Sequence, residues 1–376
     1  MMDATVDSLG GNRFLEEGCK FCGYLIEKRI GKGGIGAVYL VRHEMLDSCF
    51  ALKVLDPEVS ASKPEYVKRF LREARIASKI RHPNLVTVHD VGYDEAAGIY
   101  YIVMDYVQGS NLRQVLGLGG VLEDTEAVRI VSHVASALVA AQRFGVVHRD
   151  IKPENIMLTS DGIVKLIDLG VAKVMGGIDT LKTMDKAVFG TPLYMSPEQA
   201  TDASTVDTRA DIFSLGVVFF EMLAGKAPYK GCDTGEIVHR LLSSETIPDV
   251  RTLNPRVSPK LAAVISLMCA KRADDRIASP AMLLDTFSRM GYRIPVNENT
   301  EYADTGSADL KISSFDGKTI ELDDTLSFDT KDGQINEFVE KLKHKRLLKK
   351  IVWMSCAVLF VLVVVLFLIF LMMWVF

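Results

Sequence analysis

The chain has few cysteines, few tryptophans and almost no net charge. Six cysteines and two tryptophans stand among 376 residues, and 44 basic against 48 acidic side chains leave a formal charge of −4. A balance this close to neutral does not indicate nucleic-acid binding, and we predict no nucleic-acid partner. The cysteines are scattered along the chain, which predicts reduced thiols rather than a disulfide framework.

Two familiar signals are incomplete or missing. Cys19 and Cys22 form half of a zinc ligand set, but no second CxxC and no spaced histidine pair completes it. A structural metal at this pair stays open as the less favoured alternative to free thiols. The N-terminus has no basic region followed by an apolar stretch, so no secretory signal peptide is predicted.

The charges are unevenly distributed along a chain whose 48% apolar and 24% charged residues suit a globular protein. Residues 1–293 carry 35 basic and 36 acidic side chains, residues 294–340 carry 3 and 12, and residues 341–376 carry 6 and none. We therefore predict a nearly neutral folded part, an acidic linker and a basic C-terminal segment. The linker shows weak periodicity and is interpreted as a tether with a short β-hairpin around Asp316 and Gly317.

Residues 351–376 contain no charge, proline or glycine. At ~1.5 Å per residue, a helix of this length covers ~39 Å, which is enough to cross a ~30 Å hydrocarbon core. Trp353 and Trp374 lie near its ends, and a basic cluster at 341–350 precedes it, so the rest of the chain is predicted to face the cytoplasm. A buried core helix is the disfavoured alternative. Whether the basic cluster binds anionic lipid or only sets topology stays open.

A glycine-rich loop lies in the sequence YLIEKRIGKGGIGAVY, which begins at residue 24. Glycines at this spacing let backbone N–H groups approach phosphate oxygens. The residues after Gly36 are β-type, which disfavours a dinucleotide-binding turn; a flexible hairpin turn is the other alternative. A second strand places Lys53 behind the loop, and a helix predicted over 66–80 carries Glu73 as its pairing candidate. Taken alone, Glu73 is more simply a surface residue of that helix.

The most informative stretch is His-Arg-Asp-Ile-Lys-Pro-Glu-Asn at 148–155, which is followed by Asp-Leu-Gly at 168–170. Any one of these polar residues alone would be interpreted as a turn residue. As an ordered set, a base, two metal ligands and a lysine suit phosphoryl transfer, which requires positioning and charge neutralisation.

These motifs resemble those of eukaryotic-type (Hanks-type) serine/threonine protein kinases, over about residues 24–292 and most closely the bacterial membrane-anchored ones. The resemblance implies an α+β fold with a small β-rich lobe and a large helical lobe, to which the sequence adds one C-terminal transmembrane helix. It implies transfer of the γ-phosphoryl group of ATP, with Mg²⁺ or alternatively Mn²⁺, to serine or threonine hydroxyls of protein substrates.

The resemblance also assigns roles to individual residues. Asp150 would act as the base, Lys152 would lie near the γ-phosphate, and Lys53 with Glu73 would complete the catalytic set. Asn155 and Asp168 would hold the metal. The nucleotide-binding residues would be Ile30, Gly31, Lys32, Gly33, Gly34, Ile35, Gly36, Ala37, Val38, Lys53, Met104 as gatekeeper, Asp105 and Val107.

Further positions match the family, and two depart from it. Asp211 stands where the family braces the catalytic loop, and Arg276 stands where it pairs with Glu198. Leu169 replaces the usual phenylalanine of Asp-Phe-Gly. This replacement puts in doubt the free-energy difference between active and inactive states more than the phosphoryl-transfer chemistry. Ser196 replaces alanine in the Ala-Pro-Glu motif.

Regulation is predicted from the arginine before the catalytic aspartate. In the family, a residue placed like Arg149 anchors a phosphate on the activation loop. Autophosphorylation is expected at Thr180, Thr183 or both; for either of these two singly, a threonine without a role is an equal alternative. Thr191 is a further regulatory candidate. Self-association for phosphorylation between copies is an accompanying expectation.

Two other functions are disfavoured. A pseudokinase scaffold would typically lack one of Lys53, Asp150 and Asp168, and all three are present. A small-molecule kinase and a tyrosine kinase both fit poorly with Lys152. The predicted organisation is an N-terminal extension (1–23), a kinase domain (24–292), an acidic linker (293–340), a basic juxtamembrane segment (341–350) and a transmembrane helix (351–376). We expect a single-pass protein of the cell inner membrane, anchored at its C-terminus and in contact with membrane lipid.

Overall fold

The computed structural model describes residues 15–168, 192–201, 206–229 and 233–294, together with two short strands at 312–313 and 319–320. The folded part has a small lobe built on a β-sheet and a large, mostly helical lobe. The predicted bilobal α+β fold is therefore confirmed. The helix predicted over 351–376 lies outside the described residues, and within them no helix has the length and apolarity needed to cross a membrane.

The small lobe is an antiparallel sheet with the strand order β1-β2-β3-β4-β6-β5. Its strands are β1 (Lys20–Phe21), β2 (Tyr24–Gly33), β3 (Gly36–His43), β4 (Cys49–Leu55), β5 (Val88–Asp94) and β6 (Ile99–Asp105). Alternate side chains such as Tyr39, Val41 and Leu52 form its core, as expected when successive residues point to opposite faces. Leu15 and Phe21 are buried in the same core, so the region predicted as an N-terminal extension contributes to this lobe.

Two helices follow β4, namely α1 (Pro57–Ser62) and α2 (Pro64–Ala77). Helix α2 corresponds to the helix predicted over 66–80, with both ends shifted by two or three residues. Proline at the first helical position is favourable because its missing N–H would have had no partner there. Phe70, Glu73, Ala74 and Ala77 are the buried residues of α2.

The large lobe consists mostly of helices and also contains a small three-stranded sheet that contacts α3 and α4. Its helices are α3 (Leu112–Gly117), α4 (Asp124–Gln142), α5 (Pro197–Thr201), α6 (Thr208–Ala224), α7 (Thr234–Leu242), α8 (Pro259–Met268) and α9 (Pro280–Arg289). Its strands are β7 (Gly109–Asn111), β8 (Ile156–Thr159) and β9 (Val164–Leu166), paired antiparallel in that order. Helix α6 is buried almost throughout, and it forms the support on which the catalytic segment rests.

The short hairpin predicted in the acidic linker is also present. Strand β10 (Ile312–Ser313) pairs antiparallel with β11 (Thr319–Ile320), and Ile312 lies opposite Ile320. The two strands flank the Asp-Gly turn signal recognised in the sequence, a dipeptide that favours tight hairpin turns.

Two histidines are partly buried where the segment after α2 meets α4. His82 Nε2 lies 3.1 Å from the Ser136 hydroxyl, and Asn84 Nδ2 lies 2.8 Å from His133 Nδ1. The same amide nitrogen donates to the carbonyl of Val164 at 2.8 Å. Burial lowers the pKa of both His82 and His133 to about 4, so both rings are neutral at pH 7 and serve as packing and hydrogen-bonding groups.

We expect the protein to lose stability as the pH falls from 6.5 to 4. In the unfolded chain these imidazoles bind protons near pH 6.5, whereas in the folded state they do so only near pH 4; unfolding therefore takes up protons in this window. Each histidine contributes up to about 1.4 kcal/mol per pH unit. Urea unfolding followed by circular dichroism should show a smaller pH slope for His82→Asn/His133→Asn. An unchanged slope, matching that of the exposed-site variant His239→Asn, would contradict this account.

Candidate active site

The glycine-rich loop is the hairpin between β2 and β3, with Gly33 opposite Gly36 and residues 34–35 in the turn. At Gly36 a Cβ atom would lie 2.0 Å from the carbonyl oxygen of Val54, so the approach of β3 to β4 requires glycine there. A Cβ at Gly31 would meet nothing closer than 3.7 Å. At a glycine such as Gly31, no side chain covers the backbone of the loop. Exposed backbone N–H groups are suited to binding phosphate oxygens.

Lys53 lies in the middle of β4, opposite Val38 on β3 and Ile102 on β6. Its Nζ atom is 2.7 Å from Asp168 Oδ1 and 3.9 Å from Glu73 Oε1. The expected Lys53–Glu73 pair is present, but Asp168 is the closer partner. Three side chains from β4, α2 and the segment after β9 therefore meet at one point.

Burial and charge act in opposite directions on this trio. Burial raises the pKa of Glu73 to about 7, because the Lys53 ammonium only partly offsets the loss of solvation and Asp168 and Asp150 add repulsion. Burial also disfavours the charged form of Asp168, but contact with Lys53 outweighs it and holds the pKa below its usual value. For Lys53, the attraction of the two nearest carboxylates exceeds the desolvation cost, so its pKa is raised. At neutral pH Asp168 is charged and Glu73 only partly so, and the shorter Lys53–Asp168 contact is therefore the stronger ionic one of the two.

The catalytic segment brings two of the predicted residues, Lys152 and Asn155, into contact with the carboxylate of a third, Asp150. Lys152 Nζ donates to Asp150 Oδ2 at 2.9 Å, and Asn155 Nδ2 donates to the same oxygen at 3.0 Å. Asn155 Nδ2 also donates to the Asp150 carbonyl at 2.8 Å. These contacts keep the Asp150 carboxylate in a defined orientation, as a positioned general base requires.

The backbone of the catalytic segment is hydrogen-bonded to a single buried carboxylate on α6. Asp211, 1% exposed, accepts the backbone N–H groups of His148 and Arg149, both at 2.7 Å. Its predicted bracing role agrees with this geometry. Arg149 and Asp168 both adopt positive φ, 64° and 55°, a conformation that costs energy for residues with a Cβ and that concentrates at functional sites.

Asn155 and Asp168 are brought together by the backbone. The N–H of Ile167 donates to the Asn155 carbonyl at 2.9 Å, which places the following residue, Asp168, beside Asn155. The Asn155 amide nitrogen faces Asp150, leaving the amide oxygen as the atom for a further contact. An amide oxygen and a carboxylate are hard oxygen donors of the type that Mg²⁺ prefers, so this pair fits the predicted metal.

The predicted nucleotide hinge follows β6. Met104 is 8% exposed and lines a cavity together with Lys53, Glu73 and Asp168, whereas Ile30 on the glycine loop is 43% exposed. The residues after β6, including Val107, connect the two lobes without regular secondary structure. Met104 lines the cavity, whereas Asp105 and Val107 are not among its lining residues, so their predicted contact with adenine stays a prediction.

Comparison with known proteins agrees with this geometry. The sequence profile of the protein kinase domain matches residues 24–288. The chain is 39% identical over 263 residues to the serine/threonine-protein kinase pkn3 of Myxococcus xanthus, covering 68% of this chain and 48% of that protein. It is 35% identical over 260 residues to PknB of Mycolicibacterium smegmatis, covering 69% and 41%. The chain belongs to the Hanks-type serine/threonine protein kinase family.

A solved structure supports the same assignment. The kinase domain of PknI from Mycobacterium tuberculosis superimposes with a TM-score of 0.57 at 31% identity, covering 73% of this chain and 99% of that domain. The chain spans less than half the length of the curated relatives it matches.

Two further family features can be compared with the structure. Arg276 Nη1 and Nη2 contact the Glu198 carboxylate at 2.6 and 2.8 Å, so the expected ion pair forms. The regulatory candidates Thr180, Thr183 and Thr191 lie outside the described residues, as does Leu169. Cys19 and Cys22 are free thiols, and no group of three or more metal-binding side chains is found in the described ranges.

One polar cluster in this kinase fold was not predicted from the sequence. Arg113 on α3 donates through Nε to Glu154 at 2.9 Å and through Nη1 to Glu221 at 2.7 Å, and it also contacts the Tyr194 hydroxyl. The Tyr194 hydroxyl donates to Glu221 at 2.5 Å. Glu154 lies in the catalytic segment, and Tyr194 lies in the turn after the activation loop. Arg113 thus connects the catalytic segment and the turn at Tyr194 to Glu221 on α6. No local sequence motif indicates these contacts.

We expect Arg113→Met to raise the KM for a protein substrate about tenfold or more, with a small change in the KM for ATP. Loss of the guanidinium leaves Glu221, which is 3% exposed, without its counter-ion and releases the turn at Tyr194, a penalty of about 1–3 kcal/mol. Steady-state kinetics, with the protein substrate and ATP varied in turn, measures the two KM values separately. Parallel rises in both KM values would contradict a role specific to the protein-substrate side, and Arg143→Met is the matched surface control.

Proposed function

We propose that this protein is a serine/threonine protein kinase that transfers the γ-phosphoryl group of ATP to protein hydroxyls. The observation that carries the proposal is the convergence of Lys53, Asp150, Asn155 and Asp168 on one cleft between the lobes. The family membership gives the reaction class.

In this proposal, each residue has a stated task. Asp150 accepts the proton of the substrate hydroxyl, and Lys152, already 2.9 Å from that carboxylate, is close enough to neutralise charge on the transferred group. Lys53 contacts the phosphates, and Asn155 with Asp168 would hold Mg²⁺. When bound, Mg²⁺ supplies charge neutralisation on the phosphate oxygens. Phosphoryl transfer needs positioning and electrostatic stabilisation more than covalent help from the protein.

We also propose regulation by autophosphorylation at Thr180 or Thr183. Arg149 supports this: its Nη2 donates to the Val206 carbonyl at 3.3 Å, but its Nη1 atom is buried and has no hydrogen-bond partner within the described ranges. An unpaired guanidinium N–H suits an incoming phosphate oxygen. Anchoring to the inner membrane through residues 351–376, with the catalytic domain in the cytoplasm, is proposed on the sequence pattern alone.

The test is transfer of radiolabelled phosphate by the full chain in detergent to a generic protein substrate. We expect Lys53→Met to lower incorporation at least about tenfold, because a charged group facing the phosphates is lost. Lys226→Met, which changes an exposed lysine of the large lobe, is the matched control. Equal labelling by all three proteins would reject the enzymatic function and leave a scaffold. Mass spectrometry of the active protein should show phosphate on residues 169–191; an unmodified segment would reject autophosphorylation there.

A further inference from the structure

The outer side of α2 carries a stripe of four exposed cations, here termed the basic face: Lys68, Arg72, Arg75 and Lys79. Three belong to the helix, and Lys79 follows in the turn that continues it. At ~100° per residue their spacing of four, three and four places them within ~60° of one another around the helix axis. The buried residues of α2 occupy the opposite side.

The basic face has little to balance its charge. Like charges three and four residues apart repel each other and destabilise a helix. The acidic residues of α2 are Glu65 and Glu73, and Glu73 is buried toward Lys53. Across the described ranges, no ion pair to a carboxylate is found for any of the four cations. A surface of this kind is suited to an anionic partner.

The face also extends toward the catalytic segment. Burial is the main reason that the pKa of the Arg149 guanidinium is lowered, and the positive charge of the nearby Arg72 lowers it further. Residues 169–191 are not a good electrostatic match for this surface, because they contain three lysines and two aspartates. Their own net charge is positive before any phosphorylation.

The chain contains a segment with the complementary charge. Residues 298–324, here termed the acidic segment, carry eight acidic and two basic side chains. The segment begins shortly after residue 294, where the described part of the large lobe stops. The 17 residues at 295–311, which connect the described large lobe to the β10–β11 hairpin, span ~56 Å when fully extended, whereas a folded domain of this size has a diameter on the order of 50 Å. That length allows the acidic segment to reach α2, and covalent linkage gives it a high effective concentration there.

We propose that the acidic segment docks on the basic face of α2 within the same chain. Docking neutralises the four cations, and it places a charged partner on the helix that holds Glu73 3.9 Å from Lys53. Docking of the acidic segment can therefore change the position of α2, and with it the distance between Glu73 and Lys53. Because it requires no phosphoryl transfer, it stands independently of the proposed enzymatic function.

Zero-length carbodiimide cross-linking of the full chain in detergent tests the docking, since it joins lysine amines only to carboxylates in direct contact. We expect Lys68 and Lys79 to couple to residues 298–324 about tenfold more than the exposed Lys226 does, with loss of the product at high salt. Performing the reaction on Asp150→Asn protein separates the result from catalytic activity.

A second test removes charge from the basic face but keeps Lys68 and Lys79, the two lysines that form the cross-links. Arg72→Gln/Arg75→Gln should lower the cross-link yield at least about threefold, because two of the four cations are removed. Arg256→Gln/Arg272→Gln, two exposed arginines of the large lobe, should leave it unchanged. Thermal unfolding of each variant confirms that its fold is retained.

Several outcomes would overturn the proposal. Coupling of Lys68 and Lys79 to Asp179 or Asp185 instead would assign the face to the activation loop. In a mixture of isotope-labelled and unlabelled chains, products that join only different copies would assign it to a second molecule. Loss of the cross-links in bilayers containing phosphatidylglycerol, with retention in neutral bilayers, would assign it to the membrane. A yield no higher than that of Lys226 would exclude docking altogether.

Discussion

Asp150→Asn is expected to lower the rate of phosphoryl transfer by about 10²–10⁴-fold, the usual contribution of a positioned general base. Asparagine has nearly the same shape as aspartate, so the contacts that locate the loop remain. The backbone N–H groups of His148 and Arg149 stay bound to Asp211. What is lost is the proton acceptor and the negative charge opposite Lys152. The defect should therefore appear in kcat, with ATP affinity nearly unchanged.

Single-turnover kinetics and equilibrium binding of a fluorescent ATP analogue, both on the full chain, separate the two quantities. Asp161→Asn is the matched control, because Asp161 is an exposed aspartate in the turn between β8 and β9. A variant that retains its rate would show that Asp150 is not the base. A variant that loses ATP binding together with its rate would show instead that the carboxylate mainly maintains the structure of the site.

Arg276→Met is expected to lower the free energy of unfolding by about 3 kcal/mol, because it removes the fully buried member of a largely buried ion pair. The Arg276 side chain is 0% exposed and makes a bidentate contact with Glu198. Its guanidinium also donates to three backbone carbonyls, those of Ala270, Arg209 and Lys271, at 2.7–3.0 Å. Methionine fills part of the volume but satisfies none of these acceptors.

Urea unfolding followed by circular dichroism measures this loss. Arg272→Met is the control: this nearby arginine is 78% exposed, and its ion pair with Asp275 spans 3.8 Å, so a change below about 1 kcal/mol is expected. Glu198→Met/Arg276→Met should recover part of the stability, since no charge is left unpaired. A single variant as stable as the control would contradict the assigned role of the pair.

Much of the active site could be predicted because its chemistry is encoded in short, ordered motifs. The residues at 148–155 form one continuous loop, so Asp150, Lys152 and Asn155 meet through local geometry. The hairpin after β2 and helix α2 were likewise predicted from local spacing, with boundaries shifted by a few residues. Local patterns of this kind determine which elements form.

The motifs were thus enough to predict the family and the reaction class, which the relatives support, and to name the residues expected to line the cleft. The distances between these residues depended on the tertiary structure. Lys53 lies closer to Asp168 than to Glu73. Lys53 and Asp168 are 115 positions apart in the chain, so only the packing of the two lobes sets the distance between them. The tertiary structure also placed Leu15 and Phe21 in the small-lobe core and joined Arg113 to Glu221 across 108 positions. Contacts between residues this far apart depend on how whole elements pack, which spacing along the chain does not encode.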